Sequence, residues 1–232
     1  MGPAFHLFGP AHLIALALAF VVPAALASVT RQAPRRDRWA RLFLAALLLS
    51  EWLGFYGLFL SRGWLDWANG LPLSLCDWAQ GALIVALIRP NLPSYELGYF
   101  WGLAGTLQAL ITPDLAFGFP DARFFLFMLN HAGVIAALLY LTWGTGLRPV
   151  AGSLPRVVAA TLVYVAAAGS ADYALGANYG FLREKTSNVS LLTWLSPWPW
   201  YIGELVPIAL LFLGLYYAPF LAADIWRKHE KP

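Results

Sequence analysis

Phe124-Phe125-Leu126-Phe127-Met128-Leu129-Asn130-His131-Ala132-Gly133 opens an apolar run that continues to Trp143. A helix needs roughly 20 mostly apolar residues to cross a bilayer, and residues 124–143 supply that length. A carboxamide and an imidazole are costly to hold in hydrocarbon, so Asn130 and His131 call for partners or a wet cavity inside a bundle.

The rest of the chain reads the same way. Its 232 residues are 60% hydrophobic and 12% charged, with a mean hydropathy of +0.64. Soluble domains carry roughly 25% charged residues. The composition therefore predicts an all-α integral membrane protein forming one membrane domain over residues 1–232. No stretch is long and polar enough for a second domain. The net charge of +3 does not point to nucleic acid, because the basic residues cluster in loops, as topology requires. The single cysteine excludes an internal disulfide and argues against structural zinc. No Lys or Arg precedes the first apolar run, so the start does not read as a secretory signal.

Seven segments qualify as spans: residues 11–29, 40–60, 73–88, 97–112, 124–143, 157–175 and 201–222. The third and fourth are short, and a six-span arrangement would make one of them re-entrant. With seven spans, one side carries Arg31, Arg35, Arg36, Arg38, Arg41, Arg89, Arg148, Arg156, Arg227, Lys228 and Lys231. The other carries Arg62, Arg123, Arg183 and Lys185. Eleven of the fifteen basic residues on one side place that side in the cytoplasm, with the N-terminus outside and the C-terminus inside. Trp64, Trp67, Trp194, Trp198, Trp200 and Tyr201 then fall at outer boundaries, where ring and N–H or O–H are both accommodated.

Polar groups gather in the outer half. Cys76 opens the third span in Leu71-Pro72-Leu73-Ser74-Leu75-Cys76-Asp77-Trp78. Asp77 follows it, and Gln80 lies one turn on, on the same face as Cys76. Asn130 and His131 lie in the fifth span. His12, Gln108, Asn178 and Glu204 mark outer ends or outer loops, and Glu51 sits near the middle of the second span. A thiol and an imidazole form a nucleophile–base pair when the fold brings them together. Asp77, Asn130 or Glu51 would then orient the ring, as the third member of a triad does. Gln80 or Asn130 would stabilise an oxyanion. Each residue also has a plainer reading. A lone buried cysteine packs as a small hydrophobe, and an intramembrane histidine or glutamate can be a structural hydrogen-bonder. No HxxxH or CxxC spacing suggests a metal, and no cofactor is implied.

Motifs along nearly the whole chain resemble the bacterial YwaF-type integral membrane proteins. They are Phe8-Gly9-Pro10-Ala11-His12-Leu13, Leu71-Pro72-Leu73-Ser74-Leu75-Cys76, Asn130-His131-Ala132-Gly133 and Gly176-Ala177-Asn178-Tyr179-Gly180-Phe181-Leu182, with Pro197-Trp198-Pro199-Trp200-Tyr201 beyond. That group is similar to the eukaryotic transmembrane protein 164 family of seven-span phospholipid acyltransferases with a cysteine and a histidine at the active centre. The resemblance implies Cys76 as acyl-accepting nucleophile, His131 as general base, membrane lipids as substrates and a bacterial cytoplasmic membrane as the location. It offers no counterpart for Asp77, Glu51 or Glu204. Two functional classes follow: a lipid acyltransferase or hydrolase working through an acyl-thioester, and a small-molecule transporter or ligand-binding membrane protein without catalysis. The apparently dry inner halves and the lack of an internal repeat count against the transporter.

Overall fold

The structure is a computed structural model describing residues 2–186 and 188–229. Lys231 lies outside the described residues, as does the side chain of Lys228. The described chain is helical: α1 (Pro10–Thr30), α2 (Pro34–Ser61), α3 (Leu75–Ile88), α4 (Leu92–Trp101), a π turn (Gly102–Thr106), α5 (Leu107–Ile111), α6 (Ala122–Trp143), α7 (Ser153–Leu175) and α8 (Trp200–His229).

Local chemistry sets the helix ends. α1, α2 and α4 each carry proline in the first turn, where the missing N–H costs nothing. α3 opens with a capping box between Ser74 and Asp77. Asn91 accepts from the Ser94 N–H at 2.9 Å to start α4. Asp121 starts α6 by accepting from the Arg123 N–H at 2.9 Å. The Arg123 guanidinium, bonded to that carboxylate at 2.8 and 2.7 Å, helps hold the Asp121 carboxyl down at about 2. Gly176, at φ +67°, stops α7 in the left-handed conformation that favours glycine.

Among the described residues five helices are long and apolar enough to cross a membrane: α1, α2, α6, α7 and α8, the last over Trp200–Arg227. The third and fourth expected spans are not among them, and both were short in the sequence. α3 has 14 residues. At 1.5 Å rise it reaches about 21 Å, short of a ~30 Å hydrocarbon core. α4 begins at Leu92, not near Leu97, and is joined to α5 through the π turn. Hydropathy rejects Tyr95 and Glu96, yet both are buried. Partners explain this. Tyr95 meets the Thr142 hydroxyl at 2.8 Å. Glu96 accepts from Ser153 at 2.5 Å and from Arg156 at 2.6 and 3.0 Å.

α6 is the centre. Its apolar window is 67% buried, against 22% in α1 and α2, 17% in α7 and 11% in α8. Contacts around it fix direction. Gly98 lies against Leu83 and Gly105 against Leu75, so α3 and α4 are antiparallel. Tyr95 meets Thr142 while Gly102 meets Val134 and Leu138, so α4 and α6 are antiparallel. It follows that α3 and α6 run in the same direction. α2 runs against both: Arg41 reaches the Leu87 carbonyl and Tyr140 reaches Asp37, while Gly54 lies against Leu126.

Close packing at Gly98 predicts a large cost for one methyl group. A Cβ there would lie 2.4 Å from the Leu83 Cγ, and Leu83 is fully buried. Gly98→Ala should destabilise by about 1–3 kcal/mol through overpacking. Gly57→Ala, which meets nothing within 4 Å in α2, should be neutral or slightly stabilising. Thermal unfolding of both variants in detergent checks the contrast.

Candidate functional site

Three helices meet through three polar side chains. Gln80 of α3 is fully buried, and its Nε2 donates to the Leu48 carbonyl at 2.9 Å and to Glu51 Oε2 at 3.0 Å. Asn130 of α6 donates through Nδ2 to Gln80 Oε1 and, at 3.4 Å, to Glu51 Oε2. Residues far apart in sequence thus form one buried tie joining α2, α3 and α6. Both donor hydrogens of the Gln80 amide are in use there. Its expected role as an oxyanion donor therefore has no free N–H behind it.

Cys76 stands one turn from Gln80 toward the start of α3, and is partly buried. The Thr106 hydroxyl of the π turn faces its thiol. Tyr164 of α7 belongs to a buried cluster that packs on Leu75 and Trp78, the residues flanking Cys76 and Asp77 in α3. Its ring packs edge-on against Trp78 at 5.4 Å, and Trp78 packs likewise on Trp101 at 6.0 Å. Asp77 is engaged in the α3 cap, where its carboxylate accepts from the Ser74 N–H at 3.1 Å. The loop after α7 closes this end. The Tyr179 hydroxyl accepts from the Leu71 N–H and donates to the Trp67 carbonyl, both at 2.9 Å. Its backbone N–H is held by Asp172 at 2.6 Å.

His131 follows Asn130 in α6 and is buried. Its ring stacks on Phe127 at 4.0 Å, and Nδ1 lies 2.8 Å from the Phe127 carbonyl. A carbonyl only accepts, so Nδ1 carries the proton and Nε2 is the free acceptor. The ring is oriented by Phe127, not by Asp77, Asn130 or Glu51. Among the described residues no hydrogen bond joins Cys76 to His131.

The other expected site residues lie elsewhere. Both His12 nitrogens are committed: Nδ1 accepts from the Phe8 N–H at 3.0 Å and Nε2 donates to the Leu110 carbonyl at 2.8 Å. Gln108 lies against Tyr216 of α8. Asn178 organises its own loop, accepting from the Arg183 and Glu184 N–H groups. Glu204 accepts from the Ser196 N–H at 2.9 Å and from its hydroxyl. Among the described residues no three His, Cys, Asp or Glu side chains gather as metal ligands. A groove of about 730 Å³ runs between α1, α2 and α6 and is lined by neither Cys76 nor His131. Thr106 and Tyr164 escaped the sequence reading, since a threonine and a tyrosine in apolar helices carry no motif.

The helices and their buried polar tie define an integral membrane protein whose one thiol lies beside a helix junction. Residues 7–217 match the TMEM164 family, so the chain belongs to that family. No curated protein and no solved structure matches it. The YwaF-type resemblance rests on its motifs alone.

Proposed function

We propose that this chain is a seven-span lipid acyltransferase or hydrolase in which Cys76 carries the acyl group and His131 moves the proton. The observation that carries the reading is the Glu51–Gln80–Asn130 tie. It sets α3 and α6 side by side in the same direction, with Cys76 one turn from Gln80 and His131 next to Asn130. Cys76 lies about 6 Å from Gln80 along the axis, and His131 about 1.5 Å beyond Asn130 on the other side. The imidazole leans back toward the start of α6, as its Phe127 bond requires, and so toward the level of the thiol.

His131 Nε2 takes the Cys76 proton as sulfur attacks a lipid ester carbonyl. The C–O ester bond breaks, and the leaving alkoxide takes that proton from His131. The acyl-thioester is then resolved by a lipid hydroxyl or water, whose proton passes through His131 back to sulfur. Catalytic hydrogen bonds tighten when substrate binds, so the lipid-filled site is where the two groups must meet.

Five long helices supply five passes, and α3 and the α4–π turn–α5 rod are two shorter ones. The alternating directions around α6 support that count. With most of the basic residues assigned by the sequence to the opposite side, Cys76 faces the outer leaflet, the N-terminus is outside and the C-terminus cytoplasmic. A bacterial cytoplasmic membrane is the location the motifs favour, and phospholipids or other acyl lipids are the substrates.

The test is covalent capture. Purified protein in mixed micelles with phospholipid bearing a labelled acyl chain should acquire label that neutral hydroxylamine removes. The label should be absent in Cys76→Ala. No label on the native protein, or label persisting in the variant, would overturn the reading.

A further inference from the structure

We propose that the hydroxyls of Tyr164 and Thr106 are the hydrogen-bond donors to the carbonyl oxygen of an acyl group at Cys76. The inference rests on the acyl-transfer reading and names its missing part, because both Gln80 donors are already taken.

The π turn packs on Leu75 through Gly105, and the Tyr164 ring packs on Trp78 at 5.4 Å, so two buried hydroxyls border the first turn of α3 that carries the thiol. Thr106 is fully buried and Tyr164 is 3% exposed; neither hydroxyl reaches a partner in full hydrogen-bonding geometry, Thr106 having only the thiol before it and Tyr164 only the Leu75 backbone. Buried polar groups are nearly always paired, so two orphans at the one cysteine ask for a third party. Asn130 Oδ1 and Trp52 Nε1 are also unpartnered. The first is an acceptor, and the second lies beside Asp77. Neither faces the thiol as Thr106 does.

Thr106 is free for a backbone reason. Thr30, Thr112, Thr142, Thr145 and Thr161 each donate to the carbonyl four residues back. Thr106 would turn to Gly102, but Thr106 closes a π turn. There the Gly102 carbonyl accepts from the Leu107 N–H, five residues on. Within this turn the Thr106 hydroxyl makes no bond to a carbonyl behind it and faces sulfur instead. π turns inside α-helices concentrate at functional sites for this kind of reason.

Tyr164 is held from the opposite side. Gly180, at φ +65°, passes directly over its hydroxyl, and a Cβ there would lie 2.3 Å from the oxygen. The loop whose Tyr179 is anchored to the α2–α3 connection therefore fixes where the phenol ends. Trp78 and Trp101 wall its ring.

The chemistry balances without another reagent. As the Sγ–C bond forms, the carbonyl π electrons move onto oxygen. Both hydroxyls donate to that oxyanion and keep their own protons. When the C=O bond reforms, the ester oxygen leaves with the proton that the thiol gave to His131. Donors aimed at a developing oxyanion in a water-poor site are typically worth 10²–10³ in rate.

The experiment compares two reactions of the same sulfur. Acylation by a phospholipid ester passes through an oxyanion. Alkylation by iodoacetamide displaces iodide at an sp³ carbon and does not. Cys76 is the one cysteine, so both report on it alone. Tyr164→Phe should slow thioester formation about 10²-fold at unchanged KM and leave alkylation at the wild-type rate. Thr106→Val should do the same more weakly, with Thr106→Ser restoring the rate. Gly180→Ala, which displaces the phenol, should resemble Tyr164→Phe. Wild-type acylation in Tyr164→Phe, or acylation and alkylation falling together, overturns the assignment while leaving the thioester reading intact. A native protein that alkylates but never acylates sinks that reading itself, and this one with it.

Discussion

Cys76→Ala should reduce acyl transfer by at least about 10³-fold, because removing a nucleophile leaves only binding and polarisation to act on the ester. The fold should survive. Cys76 is partly exposed at the first turn of α3, and that turn is set by Ser74 and Asp77, not by the thiol. Cys76→Ser should fail nearly as badly. A serine hydroxyl is far less acidic than a thiol, and an imidazole bonded to a neutral carbonyl has no carboxylate to raise its basicity. His131→Gln should lose a comparable factor while keeping a donor for the Phe127 carbonyl. The double variant should be hardly worse than either alone, since the two groups act as one unit. Rates of lipid turnover with matched unfolding midpoints check all four. A Cys76→Ala protein that still turns over lipid would remove sulfur from the mechanism, whatever His131 does.

Much of this architecture was legible because five helices obey simple length and hydropathy rules. The third and fourth expected spans did not. α4 reaches back to Leu92 because Glu96 is paired with Arg156 and hydrogen-bonded by Ser153, and Tyr95 is hydrogen-bonded to Thr142, partners that a hydropathy window does not see. Glu51, Gln80 and Asn130 were each conspicuous as polar residues in apolar runs, and the cost of leaving them alone is what drives them together. Their meeting point still depends on the relative rotation of three helices, which no local pattern encodes. His12, Asn178 and Glu204 were also singled out, and the structure ties His12 to the Leu110 carbonyl while Asn178 and Glu204 accept from nearby backbone N–H groups of their own loops. Thr106 and Tyr164 were silent. A helical threonine ordinarily bonds the carbonyl behind it, and only the π turn shows that this one does not.

The tie between α2, α3 and α6 makes Gln80→Leu the most damaging single change to stability. Leucine keeps the volume but removes two donors and one acceptor at a site with no exposure. The Leu48 carbonyl, Glu51 and the Asn130 amide each lose a bond. A buried group left unpaired costs about 1–3 kcal/mol. Hydrogen bonds between membrane helices measure nearer ~0.6 kcal/mol on average, because chains within the bilayer find other partners. Three groups at one crossing then suggest about 2–4 kcal/mol. Glu51→Gln should cost much less, since an amide oxygen still accepts from Gln80 and Asn130. The two variants separate the tie from mere packing. If Gln80→Leu unfolds in detergent at the wild-type midpoint, the polar tie does not hold these helices. If it is destabilised as expected, turnover per folded molecule should fall as well, because α3 carries the thiol and α6 the imidazole. Glu51→Gln should retain most of that turnover, which makes alignment of two helices, and not the charge of the carboxyl, what the tie contributes to the site.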